Sequence, residues 1–339
     1  MTITRLRELF DRFPTLRITV AGDLFLDRWY EIDPALNEPS VETALTAYQV
    51  VRKRSSAGAA GTVINNLCAM QIGMLRVVSM LGNDGDGWET LNLLRNMNVD
   101  VSGIIVSDEI VTPSYIKPLF PQEGNRLDIK NIKPTPQEIQ NQLIVNIESA
   151  LQVSDALVLL DQVCTADTGV MTAQVRQAVC AMAKKYPDKL IWADSRAFIH
   201  HFNDVTIKCN QLEAARMTGR EVNEENFDLE KVFACMDDLH GKTGRPVVVT
   251  CGARGVAVEE GGRKQLVPAV RQKGTIDICG AGDACSAGMV STLCAGGSFE
   301  EAAAVGNLSS GVTVRIIGQT GAASREEMLA LFHEQLVNN

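Results

Sequence analysis

The stretch Asp277-Ile278-Cys279-Gly280-Ala281-Gly282-Asp283-Ala284-Cys285-Ser286-Ala287-Gly288 decides how this chain is read, because a glycine-rich turn runs straight into a small-residue helical run. Backbone N–H groups at such a helix start have no partner within the helix. Together with the macrodipole they form a site for an anion such as a phosphate. The glycines let that anion come within hydrogen-bonding distance of the backbone. A carboxylate at Asp283 is out of place in a passive phosphate cradle, yet it suits a general base. It can take the proton from a hydroxyl that attacks a γ-phosphate while the N–H cluster stabilises the developing charge. A first-turn aspartate favoured by the helix dipole explains the same residue, and on this segment alone both readings stand.

Outward from this turn, short β-branched runs alternate with longer helical patterns. The pattern predicts strands at 16–21, 76–81, 156–160, 190–193 and 247–250, and helices at about 59–72, 88–97, 136–151, 166–185 and 229–240. This βαβ order predicts an α/β fold, a doubly wound, mostly parallel sheet flanked by helices. After Gly282 the pattern is helical to the end, in about three helices punctuated by Gly296-Gly297 and by residues 318–321. Residues 30–55 and 108–133 break the alternation. The second of them, from Thr112 through a Gln122-Glu-Gly-Asn turn to Lys130, reads as a hairpin. Strands that leave a parallel sheet must cover something, and we expect a small β lid over a site or against a partner chain. No repeat or Pro/Ser linker divides the chain, which predicts a single domain over residues 1–339 with both lid segments inserted in it.

Composition narrows the function classes. The 339 residues are 45% hydrophobic and 22% charged, with formal net charge −9, which excludes global disorder and predicts a soluble globular protein. An acidic chain repels polyphosphate and anionic lipid. Arg52-Lys53-Arg54 is its one short basic run, so neither nucleic acid nor a membrane surface is an expected partner. Nine cysteines, an odd number without a CxxC pair, and with Cys68, Cys180, Cys235 and Cys294 in apolar surroundings, read as reduced thiols of a cytoplasmic protein. His200, His201, His240 and His333 form no grouping at zinc spacing. Other nucleotide motifs fail. Gly241-Lys242-Thr243 has Met236 where a P-loop needs glycine, and Gly280-Ala281-Gly282 has Cys285 at the sixth position of a dinucleotide fingerprint.

The glycine turn resembles the second signature, D-[PSTV]-x-G-A-G-D, of the PfkB (ribokinase-like) sugar kinases, with Ile278 as its one departure. The resemblance runs in order along nearly the whole chain. Ala21-Gly22-Asp23 through Asp27-Arg28 is similar to the family's opening strand and turn, and Gly82-Asn83-Asp84-Gly85-Asp86-Gly87 to its G-x-D-x-x-G turn. Asp194-Ser195-Arg196 is similar to D-P-x, Asn210-Gln211-Leu212-Glu213 to N-x-x-E, and Thr250-Cys251-Gly252-Ala253-Arg254-Gly255 to the nucleotide loop. Within the family, Gly22-Asp23, residues 112–117, Arg126-Leu127-Asp128 and Leu157 to Asp161 are most similar to the heptose 7-phosphate kinase branch.

The resemblance implies a ribokinase-like fold and an ATP- and magnesium-dependent transfer to a hydroxyl of a sugar or sugar phosphate, such as a heptose 7-phosphate. It implies Asp283 as catalytic base and the amides of Gly280, Ala281 and Gly282 as the anion hole. Asp27, Gly58, Arg126 and Asp161 are then the sugar-binding set. Asn210 and Glu213 would organise magnesium, Thr250, Gly252 and Gly255 would line the nucleotide phosphates, and Asn307 would lie near adenine. Asp277 and the Gly318 loop would flank a monovalent cation such as K+. Plainer readings stand beside these. Asn210-x-x-Glu213 is also an ordinary helix-capping pattern, Asp23 can cap the turn after the first strand, and Trp29 and Tyr30 suit lid packing as well as stacking. Arg126 and Arg196 suit a substrate phosphate, which guanidinium reads bidentately. The first signature, G-G-x-x-N, stands here as Ala57-Gly58-Ala59-Ala60-Gly61-Thr62, so its Asn falls on Gly61 or Thr62. Asn65 and Asn66 are nearby substitutes, although helical spacing assigns one of them to a solvated face. The heptose enzymes are often fused to a nucleotidyltransferase with an HxGH motif, which is absent here, so the kinase step alone is expected. Alternative functions are a kinase for a non-phosphorylated sugar or nucleoside, and an inactive sugar- or nucleotide-binding protein. Lid strands of two chains are expected to pair in a homodimer.

Overall fold

A computed structural model describes residues 1–220 and 227–338. Among the described residues, one sheet holds β1 (Arg17–Gly22), β6 (Met74–Gly82), β7 (Asp100–Ser107), β11 (Ala156–Asp161), β12 (Leu190–Ser195), β13 (Thr206–Asn210), β14 (Val247–Thr250), β15 (Gly255–Glu260) and β16 (Arg263–Pro268). Their order is β16-β15-β14-β13-β12-β11-β1-β6-β7. All neighbours from β14 to β7 run parallel, while β15 and β16 form an antiparallel edge. A second sheet has the order β10-β8-β2-β5, from β2 (Leu24–Ile32), β5 (Val50–Ala59), β8 (Ser114–Phe120) and β10 (Leu127–Ile129), with β9 (Gln122–Glu123) paired to β8. The short β3 (Glu38–Pro39) and β4 (Thr46–Ala47) pair with each other.

Strand β11 shows why the main sheet forms. In its Ala-Leu-Val-Leu-Leu-Asp run, Val158 and Leu160 enter one core and Leu157 and Leu159 the other. An unbroken apolar run is the mark of a strand buried on both faces. The first core packs α1 (Ile3–Arg12), α2 (Ala60–Ala69), α3 (Gly85–Asn96), α8 (Ala281–Cys294), α9 (Phe299–Thr313) and α10 (Arg325–Asn338) on one side. The second packs α4 (Gln137–Val153), α5 (Ala173–Lys185), α6 (Gln211–Thr218) and α7 (Leu229–Thr243) on the other.

Three sequence expectations are corrected. Strands β7, β13, β15 and β16 were not anticipated, since β7 and β16 lie half-buried at the sheet edges and β13 carries a lysine in its apolar run. The helix expected from residue 166 begins at Ala173. The carboxylate of Asp23 accepts the amides of Gln162 (2.9 Å), Val163 (3.1 Å) and Val170 (2.7 Å) and so holds residues 162–170 in a loop. Strand β2 begins at Leu24, which places Asp27 within the second sheet, not in a turn. All nine cysteines are free thiols, and no described helix is long and apolar enough to cross a membrane.

Leu159 is fully buried at the centre of β11. Leu159→Ala is expected to lower the unfolding free energy by about 2–5 kcal/mol in urea titration.

Candidate active site

Parallel register brings the polar ends of the strands to one edge. Gly22 pairs with Leu160, Leu160 with Asp194, Asp194 with Lys208, and Asn210 with Thr250. Asp23, Asp161, Asp194, Asn210 and Thr250 therefore lie at or just past the carboxyl ends of their strands, the side on which doubly wound sheets bind ligands. Helix α8 starts in contact with this edge. Gly280 precedes it at φ +78°, a left-handed conformation that glycine adopts without cost. A Cβ on Gly280 would lie 3.2 Å from the γ-methyls of both Thr62 and Thr320. A Cβ on Gly282 would lie 3.0 Å from Nζ of Lys208, so the lysine ammonium sits directly against the turn.

Lys208 is only 6% exposed. Its Nζ donates to Oδ2 of Asp194 at 2.7 Å, and Oγ of Ser286 donates to the same oxygen at 3.3 Å. Burial lowers the proton affinity of Lys208, but Asp194, Cys285 and Asp283 more than restore it, so the group stays a cation. Asp283 moves the other way. Burial, then the neighbouring charge of Asp194, push its carboxyl up to about 7, against the opposing pull of Lys208 and Arg196. A helix dipole alone would stabilise the anion and lower this value. The first turn of α8 thus holds a carboxylate poised near neutrality, as a general base requires.

The second sheet adds Asp27. A Cβ on Gly58 would stand 2.4 Å from Oδ2 of Asp27, so the glycine leaves room for the carboxylate to lie over β5. Nζ of Lys117 is 3.8 Å from Oδ1. Burial raises the Asp27 pKa, while the cations Lys117, Arg126 and Arg196 oppose the rise. Arg126 donates to both oxygens of Asp128, at 2.6 and 3.0 Å, and lies 4.1 Å from the centre of the Tyr115 ring. Trp29 is buried under Arg54 and Lys117, at 5.4 and 4.8 Å from its ring centre. Tyr30 lies under Lys53.

The remaining expected residues have these places. Asn210 and Glu213 form a reciprocal capping box on α6. Oδ1 of Asn210 accepts the amides of Leu212 and Glu213, and Oε2 of Glu213 accepts the Asn210 amide at 2.8 Å. Burial raises the Glu213 pKa. Gly252 has open space beside it, and the Thr250 hydroxyl donates to the Cys209 carbonyl at 3.4 Å. A Cβ on Gly255 would meet the Val267 carbonyl at 2.0 Å, so glycine is required where β15 approaches β16. The side-chain amide of Asn307 donates to the carbonyls of Val267 and Pro268, tying α9 to β16. The Asp277 oxygens accept the amides of Cys279 (3.0 Å) and Gly318 (2.9 Å). Asp161 is 3% exposed and accepts from Ser195 Oγ (2.8 Å) and Arg176 Nη1 (3.3 Å). Burial and the nearby Asp23 push its carboxyl up to about 7.

Of the two asparagines, of which one was expected on a solvated face, Asn65 is half-buried and Asn66 is not exposed at all. Asn66 donates to the Thr62 and Gly321 carbonyls and accepts the Ala323 amide, while Asn65 reaches Ser56 and the Ala57 carbonyl. Lys208, Lys117 and Thr320 escaped sequence reasoning. For Lys208 a signal existed, since a lone charge inside Thr206-Ile207-Lys208-Cys209-Asn210 is out of place in a buried strand unless it has a partner. Among the described residues, no group of three or more His, Cys, Asp or Glu side chains is arranged to hold a metal ion.

A carboxylate with raised proton affinity at a glycine-led helix start, at the carboxyl edge of a parallel sheet that a second charged sheet faces, is a layout that suits a small-molecule kinase. Residues 30–325 match the pfkB family carbohydrate kinase, and the chain belongs to that family. It is 28% identical over 316 residues to the bifunctional protein HldE of Wolinella succinogenes, covering 91% of this chain and 63% of that protein's length. The fold is similar to a ribokinase of Arabidopsis thaliana solved with ribose and ATP, with TM-score 0.67 and 17% identity over 93% of this chain and 98% of that one. It is also similar to a putative phosphofructokinase of Staphylococcus aureus, with TM-score 0.72 and 17% identity over 92% and 95% of the two chains.

The raised Asp283 pKa has a consequence for stability. The folded carboxyl keeps its proton up to about pH 7, whereas the unfolded one releases it near its ordinary value of 3.8, so the penalty grows between those values and is complete above them. Asp283→Asn is expected to stabilise the protein by the order of 1 kcal/mol or more at pH 8 and by little at pH 4.5, read by chemical denaturation at both.

Proposed function

We propose that the protein transfers the γ-phosphoryl group of ATP to a hydroxyl of a phosphorylated sugar, with Asp283 as general base. The observation that carries this reading is the Asp283 carboxyl, pushed up to about 7 at the first turn of α8 with Lys208 against the same turn. Asp283 takes the hydroxyl proton as that oxygen bonds to phosphorus and the bond to the ADP oxygen breaks. The amides of Gly280 and Gly282 and the Lys208 ammonium stabilise the charge on the transferring group, whereas the Ala281 amide, expected in the same role, donates to the Ile278 carbonyl at 3.2 Å. Thr250, Gly252 and Gly255 would line the nucleotide.

A magnesium ion on the ATP phosphates supplies charge neutralisation when bound. Glu213 is the carboxylate here that would hold it, and a single carboxylate suits an ion carried chiefly by phosphates and water. Asp277 accepts one backbone amide on each oxygen, which leaves lone pairs that would meet a monovalent ion beside the Gly318 loop, and no step is assigned to that ion.

Asp27 would hold sugar hydroxyls, and the three cations whose fields reach it favour a substrate that already carries a phosphate. A heptose 7-phosphate is the first candidate, by the resemblance to that branch of the family. Asp161, buried with Ser195 and Arg176, would act by positioning the Asp194-Ser195-Arg196 turn. The free cysteines are consistent with a cytoplasmic setting.

ADP release with ATP and magnesium should require a sugar phosphate in a panel of phosphorylated and free heptoses, hexoses and pentoses. Asp283→Asn is expected to lower kcat by about 10²- to 10⁴-fold. The wild-type rate should fall as pH drops through about 7, because protonation removes the base. Saturable sugar binding without turnover would instead support a binding protein, and turnover of free sugars alone would remove the phosphate argument. Exposed Val41, Leu45, Tyr48 and Val51 beside the second sheet support a homodimer through it. Sedimentation velocity should give twice the chain mass, and a monomer at every concentration would refute the pairing.

A further inference from the structure

We infer that Arg54 and Gln319 couple the second sheet to the anion-binding turn, with Gln319 a positioning residue for phosphoryl transfer. The catalytic part of this inference rests on the kinase reading above.

Strand β5 passes directly into α2 through Ala59, so a displacement of β5 is carried into the first turn of that helix. Thr62 in that turn sets its γ-methyl where it limits Gly280 from one side, and the γ-methyl of Thr320 limits it from another. Gly280 holds its left-handed conformation between these two methyls. Thr320 belongs to the segment that follows α9. Its ends are anchored, by the Gly318 amide on Asp277 (2.9 Å) and by the Ala323 amide on the buried Asn66 of α2 (3.1 Å). The Thr320 hydroxyl is buried without a hydrogen-bond partner, so the segment is not held in place by its own polar bonding at that point.

Gln319, between those anchors, turns its side chain to the second sheet, where its Oε1 accepts from Nη1 of Arg54 at 3.2 Å. Arg54 is itself fixed to that sheet. Its Nε donates to Glu31 at 2.9 Å, and its guanidinium lies over Trp29. The second sheet therefore reaches Gly280 by two routes, Arg54 through Gln319 and Thr320, and β5 through Thr62. An exposed segment of this kind opens easily, and a contact that fixes it removes the entropy the turn would otherwise lose on binding phosphate. Seating a sugar under the second sheet then organises the anion-binding amides, and without that seating ATP meets an incomplete site. The departure from G-G-x-x-N at Gly61-Thr62 acquires a use, because Thr62 supplies a methyl to one side of Gly280.

The test compares Arg54→Met, Gln319→Ala, the double variant and Gln319→Glu, whose carboxylate keeps an acceptor for Arg54. In the full-length protein without ligand, hydrogen exchange of amides 278–283 should quicken about five- to tenfold in each of the first two variants, no further in the double variant, and return to wild type in Gln319→Glu. With ATP, magnesium and D-fructose 6-phosphate, D-mannose 6-phosphate or D-sedoheptulose 7-phosphate, kcat should fall by a similar factor while the ATP KM stays within about twofold. Unchanged exchange at 278–283 in both single variants overturns the coupling. So does a double variant whose effect is the product of the singles. If the wild type turns over neither these sugars nor any phosphorylated or free heptose, hexose or pentose of the wider panel, the kinase reading fails, and the exchange experiment still decides the coupling.

Discussion

A parallel sheet covered by helices on both faces has no interior place for an unpaired charge, because taking a charged side chain out of water costs several kcal/mol unless it is paired. Strands β1, β11, β12, β13 and β14 obey this rule and stay almost wholly apolar until their carboxyl ends. Lys208 is the exception, buried two residues before the end of β13, and it is tolerated because Asp194, its cross-strand neighbour, accepts from it at 2.7 Å. The pair in turn constrains what can pack over it. A Cβ at position 282 would press on the Lys208 ammonium at 3.0 Å, and the helix that begins at Ala281 brings Asp283 beside the ion pair.

Several carboxylates crowd this end of the sheet, and environment divides their work. Asp23 is filled by three backbone amides and shapes the loop before α5. Asp161 is held by Ser195 and Arg176, next to the Arg196 amide that donates to its own carbonyl. Asp194 neutralises Lys208. Asp283, half-buried by its own exposure and desolvated near the negative charge of Asp194, has its proton affinity raised to about 7. Asp27 approaches from a different sheet, and Gly58 is what gives its carboxylate room there. Identical side chains thus differ in proton affinity and in partners according to burial and neighbours.

The second sheet is joined to the rest through polar contacts as well as chain continuity. Arg28 on β2 pairs with Asp86 and Glu89 of α3, while Arg54 on β5 reaches Gln319 on the opposite flank. These contacts are partly exposed, unlike the apolar packing that unites the main sheet with its helices. Apolar packing joins the second sheet to the rest too, since Leu24 of β2 and Ala57 of β5 lie in the core that the main sheet shares with α2 and α8.

Much was legible in the sequence for a local reason. The apolar runs at 156–160 and 247–250, the glycine turn before Asp283 and the helical close of the chain are patterns of consecutive residues, and consecutive residues set period, turn and helix start. By itself the sequence thus determined an α/β fold with a glycine turn that leads into a helix beside an aspartate. Tertiary structure alone decided which distant groups meet: Lys208 under Gly282, Asp27 over Gly58, Asn66 with Ala323, and Asp23 with the 162–170 loop. Those meetings set the proton affinity of Asp283 and bury Asn66, whose spacing alone was compatible with a solvated face. The physical reason is that burial and electrostatic coupling depend on distance in space, and a linear pattern carries no information about how far apart two segments lie once the sheet has formed.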